Sequence, residues 1–193
     1  FLTGKVPEEG VYLRKGDNHF ENLEINRIQA HADSVNVDDN TLKLDNGETL
    51  KYDRMLVATG SHPVKPPIEG LDRPNIHHCW TLKDARNIAD IIGEGVDVVL
   101  MGAGFIGCII MEALALSGAN LTVVEAGDRM VPRMMDQNAG NMIKDWCIAK
   151  GVNVLTSSRV NSVDETDDKL VVNMDDGDVI KADLVVVATG VRP

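Results

Sequence analysis

The chain has 193 residues, enough for one ordinary domain or two small ones, and 44% of them are hydrophobic, which excludes a disordered chain. A formal net charge of -11 disfavours a nucleic-acid partner, because phosphate recognition needs clustered lysine and arginine. No apolar run approaches the roughly 20 residues of a membrane helix, and no basic stretch followed by an apolar one opens the chain, so neither a membrane span nor a secretory signal is expected.

In chain order, the first stretch of about twenty residues shows no clear periodicity. Leu23 to Val37 carries spaced apolar residues and reads as strand. Thr41 to Leu44 and Glu48 to Leu50 flank Asp45-Asn46-Gly47, a hairpin signal, because Asn and Gly tolerate positive φ. Asp53 to Ala58 reads as a short apolar strand ending in Thr59-Gly60. Ser61 to Asn75 holds four of the seven prolines and reads as a connector between domains. Thr81 to Ile92 reads as a helix, with Thr81 as its N-cap and Asp84 completing a capping box.

Val96 to Met101 is a nearly continuous apolar run, as expected of a strand covered on both faces. Phe105 to Leu116 then reads as a helix and Asn120 to Glu125 as a strand. Asp136 caps a further helix to Lys150, and Val152 to Leu155 is the next strand. This β-α-β-α-β alternation predicts an α/β fold with a parallel central sheet. A β-rich run follows: Val160 to Val163, Leu170 to Met174, a turn at Asp175-Asp176-Gly177, Val179-Ile180, and Asp183 to Ala188 closing in Thr189-Gly190.

Gly102-Ala103-Gly104-Phe105-Ile106-Gly107 fits G-x-G-x-x-G and stands between a strand and a helix, where a dinucleotide turn belongs. Gly102 permits the tight turn, Gly104 lets backbone approach a pyrophosphate, and Gly107 lets helix and strand pack closely. The helix N-terminus offers free N–H groups to the phosphates. Glu125 lies eighteen positions after Gly107, close to the spacing of an acid that holds an adenosine ribose. Its charge would repel a 2′-phosphate, which favours NADH over NADPH; Arg129 and Arg133 stand near enough in sequence to soften that preference.

Cys79, Cys108 and Cys147 have neither CxxC nor metal-ligand spacing and read as reduced thiols of a cytoplasmic protein, Cys108 as a packing residue. His77 and His78 suggest a metal site only weakly, since no further ligand is suitably spaced, and they read as water-exposed loop residues. No metal is expected. Met55 to Pro63 (MLVATGSHP) and Val185 to Pro193 (VVVATGVRP) are near repeats, each an apolar run ending in Ala-Thr-Gly.

With these motifs the chain resembles the FAD- and NAD(P)H-dependent pyridine nucleotide-disulfide oxidoreductase superfamily, along essentially its whole length. The branch it most resembles holds ferredoxin and rubredoxin reductases, NADH oxidases and the flavoprotein part of assimilatory nitrite reductases. LDNGETLKYDRMLVATGSHP is similar to that family's hairpin and first ATG strand, WTLKDAR to its crossing helix, and GAGFIG, VVEAGDRMVPRMMD and DLVVVATGVRP to its NAD domain. The resemblance implies a Rossmann-like domain with a β-meander over residues 95–193, a crossing helix over 76–94, and a partial FAD-binding segment over 1–75. It implies an FAD-dependent NAD(P)H oxidoreductase passing hydride from NADH to FAD and electrons to a protein or small-molecule acceptor, with a homodimer as a further expectation. Gly102, Ala103, Gly104, Phe105, Ile106 and Glu125 would hold the ADP part of NADH. Gly190 and Val191 would lie toward the nicotinamide, and Ala58, Thr59 and Gly60 toward FAD.

Two departures follow from the same resemblance. The chain has a single G-x-G-x-x-G, so the family's FAD glycine motif is expected upstream, and its Gly-Asp flavin motif and interface domain downstream, of an internal fragment. The family's helix often begins Gly-Phe-Ile-Gly-x-Glu, with that Glu near the nicotinamide. Here the position is Ile109, with Glu112 three residues on. The alternative reading is therefore a non-catalytic NAD(H)-binding or redox-sensing module without FAD, and no general acid or base stands out.

Overall fold

The structure, a computed structural model, describes residues 1–14, 16 and 18–193; Lys15 and Asp17, in the opening stretch without periodicity, lie outside the described residues. The chain divides into two compact units, one of Glu9–Gly60 and one of Phe1–Glu8 with Ser61–Pro193.

The smaller unit holds an antiparallel sheet in the order β1 (Ala32–Asn36), β2 (Thr41–Leu44), β3 (Thr49–Lys51). The expected hairpin is present, with Leu42 opposite Leu50. Gly47 takes φ +89° in its turn, and the Asn46 side-chain Oδ1 accepts the Glu48 N–H at 2.9 Å. Two expectations are corrected here. Of Leu23–Val37 only β1 is strand, and its five residues are all exposed. Asp53–Ala58 forms no strand, with Leu56 88% exposed. Apolar β-formers make a strand only where a neighbour takes up their N–H and C=O groups, and within this unit's described residues no strand pairs with residues 23–31 or with Asp53–Ala58.

The larger unit is built on a five-stranded sheet. Its elements are β4 (His62–Pro63), β5 (Ile76–His78), α1 (Leu82–Ala89), β6 (Asp97–Met101), α2 (Phe105–Leu116), β7 (Asn120–Glu125), α3 (Gln137–Ala149), β8 (Asn153–Thr156), β9 (Val160–Thr166), β10 (Lys169–Met174), β11 (Val179–Ala182), β12 (Leu184–Val187) and β13 (Val191–Arg192). The sheet order is β5-β12-β6-β7-β8, parallel throughout. Successive strand residues point to opposite faces, so β6, β7 and β12 serve two cores at once. Val98, Leu100, Val123 and Val186 face the helices with Ile88, Leu114 and Met111. Val99, Met101, Val124 and Val187 face the antiparallel meander β9-β10-β11 with Val163, Val172 and Met174. That double coverage is why the β6 and β12 runs are apolar at nearly every position.

The helix boundaries follow the caps. Thr81 Oγ1 accepts the Asp84 N–H at 3.1 Å, and the Asp84 carboxylate accepts the Thr81 and Trp80 N–H groups at 2.8 and 3.1 Å. The helix ends earlier than expected, with Asp90 rather than Ile92 at its close. Asp136 caps α3 by accepting the Ala139 N–H. Burial alone would push the Asp84 carboxyl up, but the Thr81 and Trp80 donors and the nearby His78 hold it below its ordinary 3.8. Stability from this source is therefore complete above about pH 4 and is lost as pH falls through the lower folded value. An Asp84→Asn chain should be less stable at neutral pH by about 1 kcal/mol, and the gap to the parent should close as pH falls through the lowered folded value of Asp84. Thermal melts of both chains across that range check it.

Two features of the connector escape local sequence rules. His62–Pro63 and Val191–Arg192, the segments after the two Ala-Thr-Gly repeats, pair antiparallel, and the Val64 N–H donates to the Gly190 carbonyl at 2.8 Å. Further along, the Val163 N–H donates to Glu69 O at 2.9 Å and Arg73 Nε to Val163 O at 2.8 Å, which fastens the connector to the meander.

Candidate functional site: the glycine turn and its acid

The order β12-β6-β7 makes β6 the strand at which the chain's direction of travel across the sheet reverses. In open α/β sheets the crevice for ligands lies beyond the carboxyl ends of the strands at such a switch point. Residues 102–107 stand there, 102–104 between β6 and α2 and 105–107 opening α2. Gly102 takes φ +99°, and a Cβ on it would stand 2.6 Å from the Ala188 carbonyl oxygen. A Cβ on Gly107 would stand 2.1 Å from the Gly102 carbonyl oxygen. Both glycines are thus needed for close approach, the first between β6 and the end of β12, the second between helix and turn. Gly104 differs: it has ordinary φ −73°, is the N-cap of α2, and a Cβ on it would meet nothing within 4 Å. Its lack of a side chain leaves open space directly before the helix N-terminus, whose first N–H groups have no intrahelical partner.

Ala103 is fully buried, Phe105 is 62% exposed, and Ile106 is half-buried against the helical core. Glu125 ends β7 and is the buried charged residue of the chain's described part, 9% exposed. One carboxylate oxygen accepts the Ala103 N–H and the other the Gly127 N–H, both at 2.7 Å. A carboxylate has about four acceptor positions, so two remain for a ligand's hydroxyls. Arg129 is spent inside its own loop: Nε donates to Met135 O at 2.9 Å and a terminal nitrogen to Pro132 O at 3.1 Å. Arg133 is exposed.

Gly190, at φ +121°, and Val191, 39% exposed, follow Ala188 and Thr189, which flank Gly102. The structure therefore brings Ala188 and Thr189 to the glycine turn, whereas Gly190 O accepts the Val64 N–H and Val191 pairs with Pro63. Ala58, Thr59 and Gly60 are exposed at the end of the smaller unit, Gly60 with φ +80°. Ile109 is 60% exposed on α2, and Glu112 is exposed as well.

The histidine expectation is corrected. His77 and His78 are not loop residues but half-buried in β5, an edge strand of the parallel sheet, and His78 Nδ1 lies 3.1 Å from Val187 O. Burial pushes His77 down, against the pull of Asp84. Three residues earlier than the capped helix, this strand is too short to show periodicity, and only the sheet reveals it. Among the described residues no His, Cys, Asp and Glu group suits a metal. Cys108 behaves as the expected packing residue. It is half-buried with Sγ 3.6 Å from Ala103 O, and burial, with Cys147 and Glu125 adding to it, pushes its thiol up to about 11.

Sequence reasoning missed the residues that seat the turn. Val131, at φ +49°, donates its N–H to Ala103 O at 2.8 Å. Nothing in the residue type signals this, because valine rarely adopts a left-handed backbone.

The family model described as Pyridine nucleotide-disulphide oxidoreductase matches residues 5–193. The chain is 33% identical over 192 residues to the NADH-dependent phenylglyoxylate dehydrogenase subunit epsilon of Aromatoleum evansii, covering 100% of this chain and 46% of that protein. It is 30% identical to an NADH oxidase of Enterococcus faecalis, covering 86% of this chain and 39% of that one. Among solved structures, a NAD-dependent persulfide reductase from A. fulgidus matches with TM-score 0.83 and 32% identity, covering 100% of this chain and 38% of that one. The chain thus spans less than half the length of these relatives. A family match running over nearly every residue, with the α/β architecture and the glycine turn in its expected place, leads to one conclusion: the chain belongs to the pyridine nucleotide-disulphide oxidoreductase family.

Proposed function

We propose that this chain supplies the NADH-binding part of an FAD-dependent oxidoreductase that passes hydride from NADH, in preference to NADPH, to FAD and then electrons to an acceptor. The observation that carries the reading is the pairing of an open helix N-terminus at Gly104 with a buried acid at the end of the adjacent strand. A pyrophosphate fits the first and a ribose diol the second. In this reading the N–H groups that follow Gly104, those of Phe105 and Ile106 foremost, take the phosphates. Gly102, Ala103 and Gly107 give the turn its shape, and Glu125 accepts the ribose hydroxyls with its remaining lone pairs. Its charge opposes a 2′-phosphate, and Arg133, exposed and eight residues later in the chain, is a cation that could temper that. Gly190 and Val191 border the nicotinamide half. NADH, when bound, supplies the hydride; the residues here bind and orient it.

For a flavin, the chain offers Ala58, Thr59 and Gly60, within a segment 1–75 that we assign to an FAD-binding domain. It carries no second glycine turn for the flavin's pyrophosphate, so no step is assigned through FAD. The acceptor belongs to the same proposal: one relative is a rubredoxin-NAD(+) reductase and one similar structure is a reductase joined to putidaredoxin.

Titration calorimetry with NADH and NADPH on the chain is the test. NADH is expected to bind more tightly by at least about tenfold, or 1.4 kcal/mol. Equal affinities would remove the stated preference, and binding of neither nucleotide would remove the reading. Exposed Ile109 favours a second reading, a module that binds NAD(H) without reducing anything, since its side chain has no group to orient a carboxamide. Oxidation of NADH by the chain with added FAD and an artificial acceptor would rule that out.

A further inference from the structure

Ala103 is held at both of its backbone polar groups. Its N–H donates to Glu125 at 2.7 Å, and its carbonyl accepts the Val131 N–H at 2.8 Å. Val131 makes this bond from φ +49°, a conformation that is a true outlier for a β-branched residue. Such strain persists only where the surroundings over-determine it, and it collects at functional sites.

The surroundings here do over-determine it. The Val131 carbonyl accepts the Met134 and Met135 N–H groups, both at 3.0 Å. Arg129 donates from its guanidinium to Met135 O and Pro132 O, both just after Val131 in the chain. Met130 is fully buried. Two glycines make room for this seat. A Cβ on Gly127 would stand 2.9 Å from the Pro132 ring, and one on Gly140 of α3 would stand 2.8 Å from Met130 O.

We propose that residues 127–136, with Val131 at their centre, form a bracket that positions the glycine turn for a dinucleotide's phosphates. The inference rests on the dinucleotide reading above. With both its N–H and its carbonyl fixed, Ala103 cannot rotate its flanking peptide planes, and the N–H groups that follow are presented in one orientation before any ligand arrives. Binding then does not have to order them. Val131 and Arg129 are positioning residues in this scheme and touch no nucleotide. Arg129 therefore does not read a 2′-phosphate, although its place in the sequence invites that role.

The test compares NADH and NADPH affinities of the chain with those of Val131→Gly, Val131→Pro and Arg129→Met, each with a thermal melt. Glycine enters the left-handed region freely and keeps the N–H; proline forbids that φ and has no N–H. Both lose the valine side chain, so their difference isolates the backbone. Val131→Pro is expected to bind NADH at least about tenfold more weakly than Val131→Gly. Arg129→Met is expected to weaken NADH and NADPH by the same factor. Equal binding by the glycine and proline chains would overturn the bracket. So would a loss confined to NADPH in Arg129→Met, which is the signature of direct contact, or a lowered Tm there with both affinities unchanged. If Val131→Pro does not fold, Arg129→Met decides alone. If the unaltered chain binds neither nucleotide, the dinucleotide reading itself has failed and the bracket falls with it; binding by the unaltered chain separates the two failures.

Discussion

Gly70→Ala should lower the stability of the larger unit by about 4 kcal/mol, near the top of the range for single substitutions. For a chain of this size that is a fall in Tm of roughly 10 °C. Gly70 takes φ +85°, which by itself costs an alanine about 1 kcal/mol. The larger part is steric. A Cβ there would stand 1.8 Å from the Val163 carbonyl oxygen and 2.9 Å from its carbon, and both are backbone atoms that cannot turn aside. The same carbonyl accepts Arg73 Nε, and the Val163 N–H donates to Glu69. Moving the strand away would loosen these bonds and the fully buried Val163 side chain together. Gly177→Ala is the control: it has φ +93° in a meander turn but open space around the added carbon. It should lose only about 1 kcal/mol. Denaturant unfolding of both chains gives the comparison, and similar losses for the two would show that the contact yields easily.

Glu125→Ala should remove both stability and nucleotide binding. Its two oxygens satisfy the Ala103 and Gly127 N–H groups in a buried setting. Leaving a buried donor without a partner costs about 1–3 kcal/mol, more when the lost acceptor was charged. A loss of roughly 3 kcal/mol is expected, with NADH affinity reduced by at least about tenfold. Glu125→Gln separates the contributions. Glutamine keeps one acceptor of the same shape and presents an amide to the other N–H, so about half the stability loss should remain. If the carboxylate also faces a ribose, the glutamine chain should bind NADH more weakly while narrowing its preference over NADPH, because the charge that opposes a 2′-phosphate is gone. A glutamine chain with lowered Tm but an unchanged ratio of the two affinities would confine Glu125 to bracing the turn. Measuring both nucleotides on both variants resolves this.

Much of both units was readable because the signals are local. The Thr81 and Asp84 capping box, the Asp136 cap, the Asn46-Gly47 hairpin and the glycine turn each depend on groups within a few residues of one another. Their geometry therefore follows from residue type and spacing. The alternation of strand and helix from Asp97 to Thr156 was equally legible, since a strand buried on both faces must be apolar at nearly every position.

What the tertiary structure alone decided involves partners far apart in the chain. Asp53–Ala58 has the composition of a strand, yet a strand exists only as a pairing, and no neighbour among the described residues of its unit supplies one. His77 and His78 have the composition of a loop, yet β12, more than a hundred residues later, draws them into the sheet. Gly70 carries no motif, and its necessity comes from the Val163 carbonyl across the molecule. The candidate site divides in the same way. Glycines and acid were visible in the sequence, because a dinucleotide turn imposes its residue types on adjacent positions. The left-handed Val131 that holds the turn in place was not, because its strain is sustained by hydrogen bonds to the glycine turn and within its own loop, and no propensity of valine points to it.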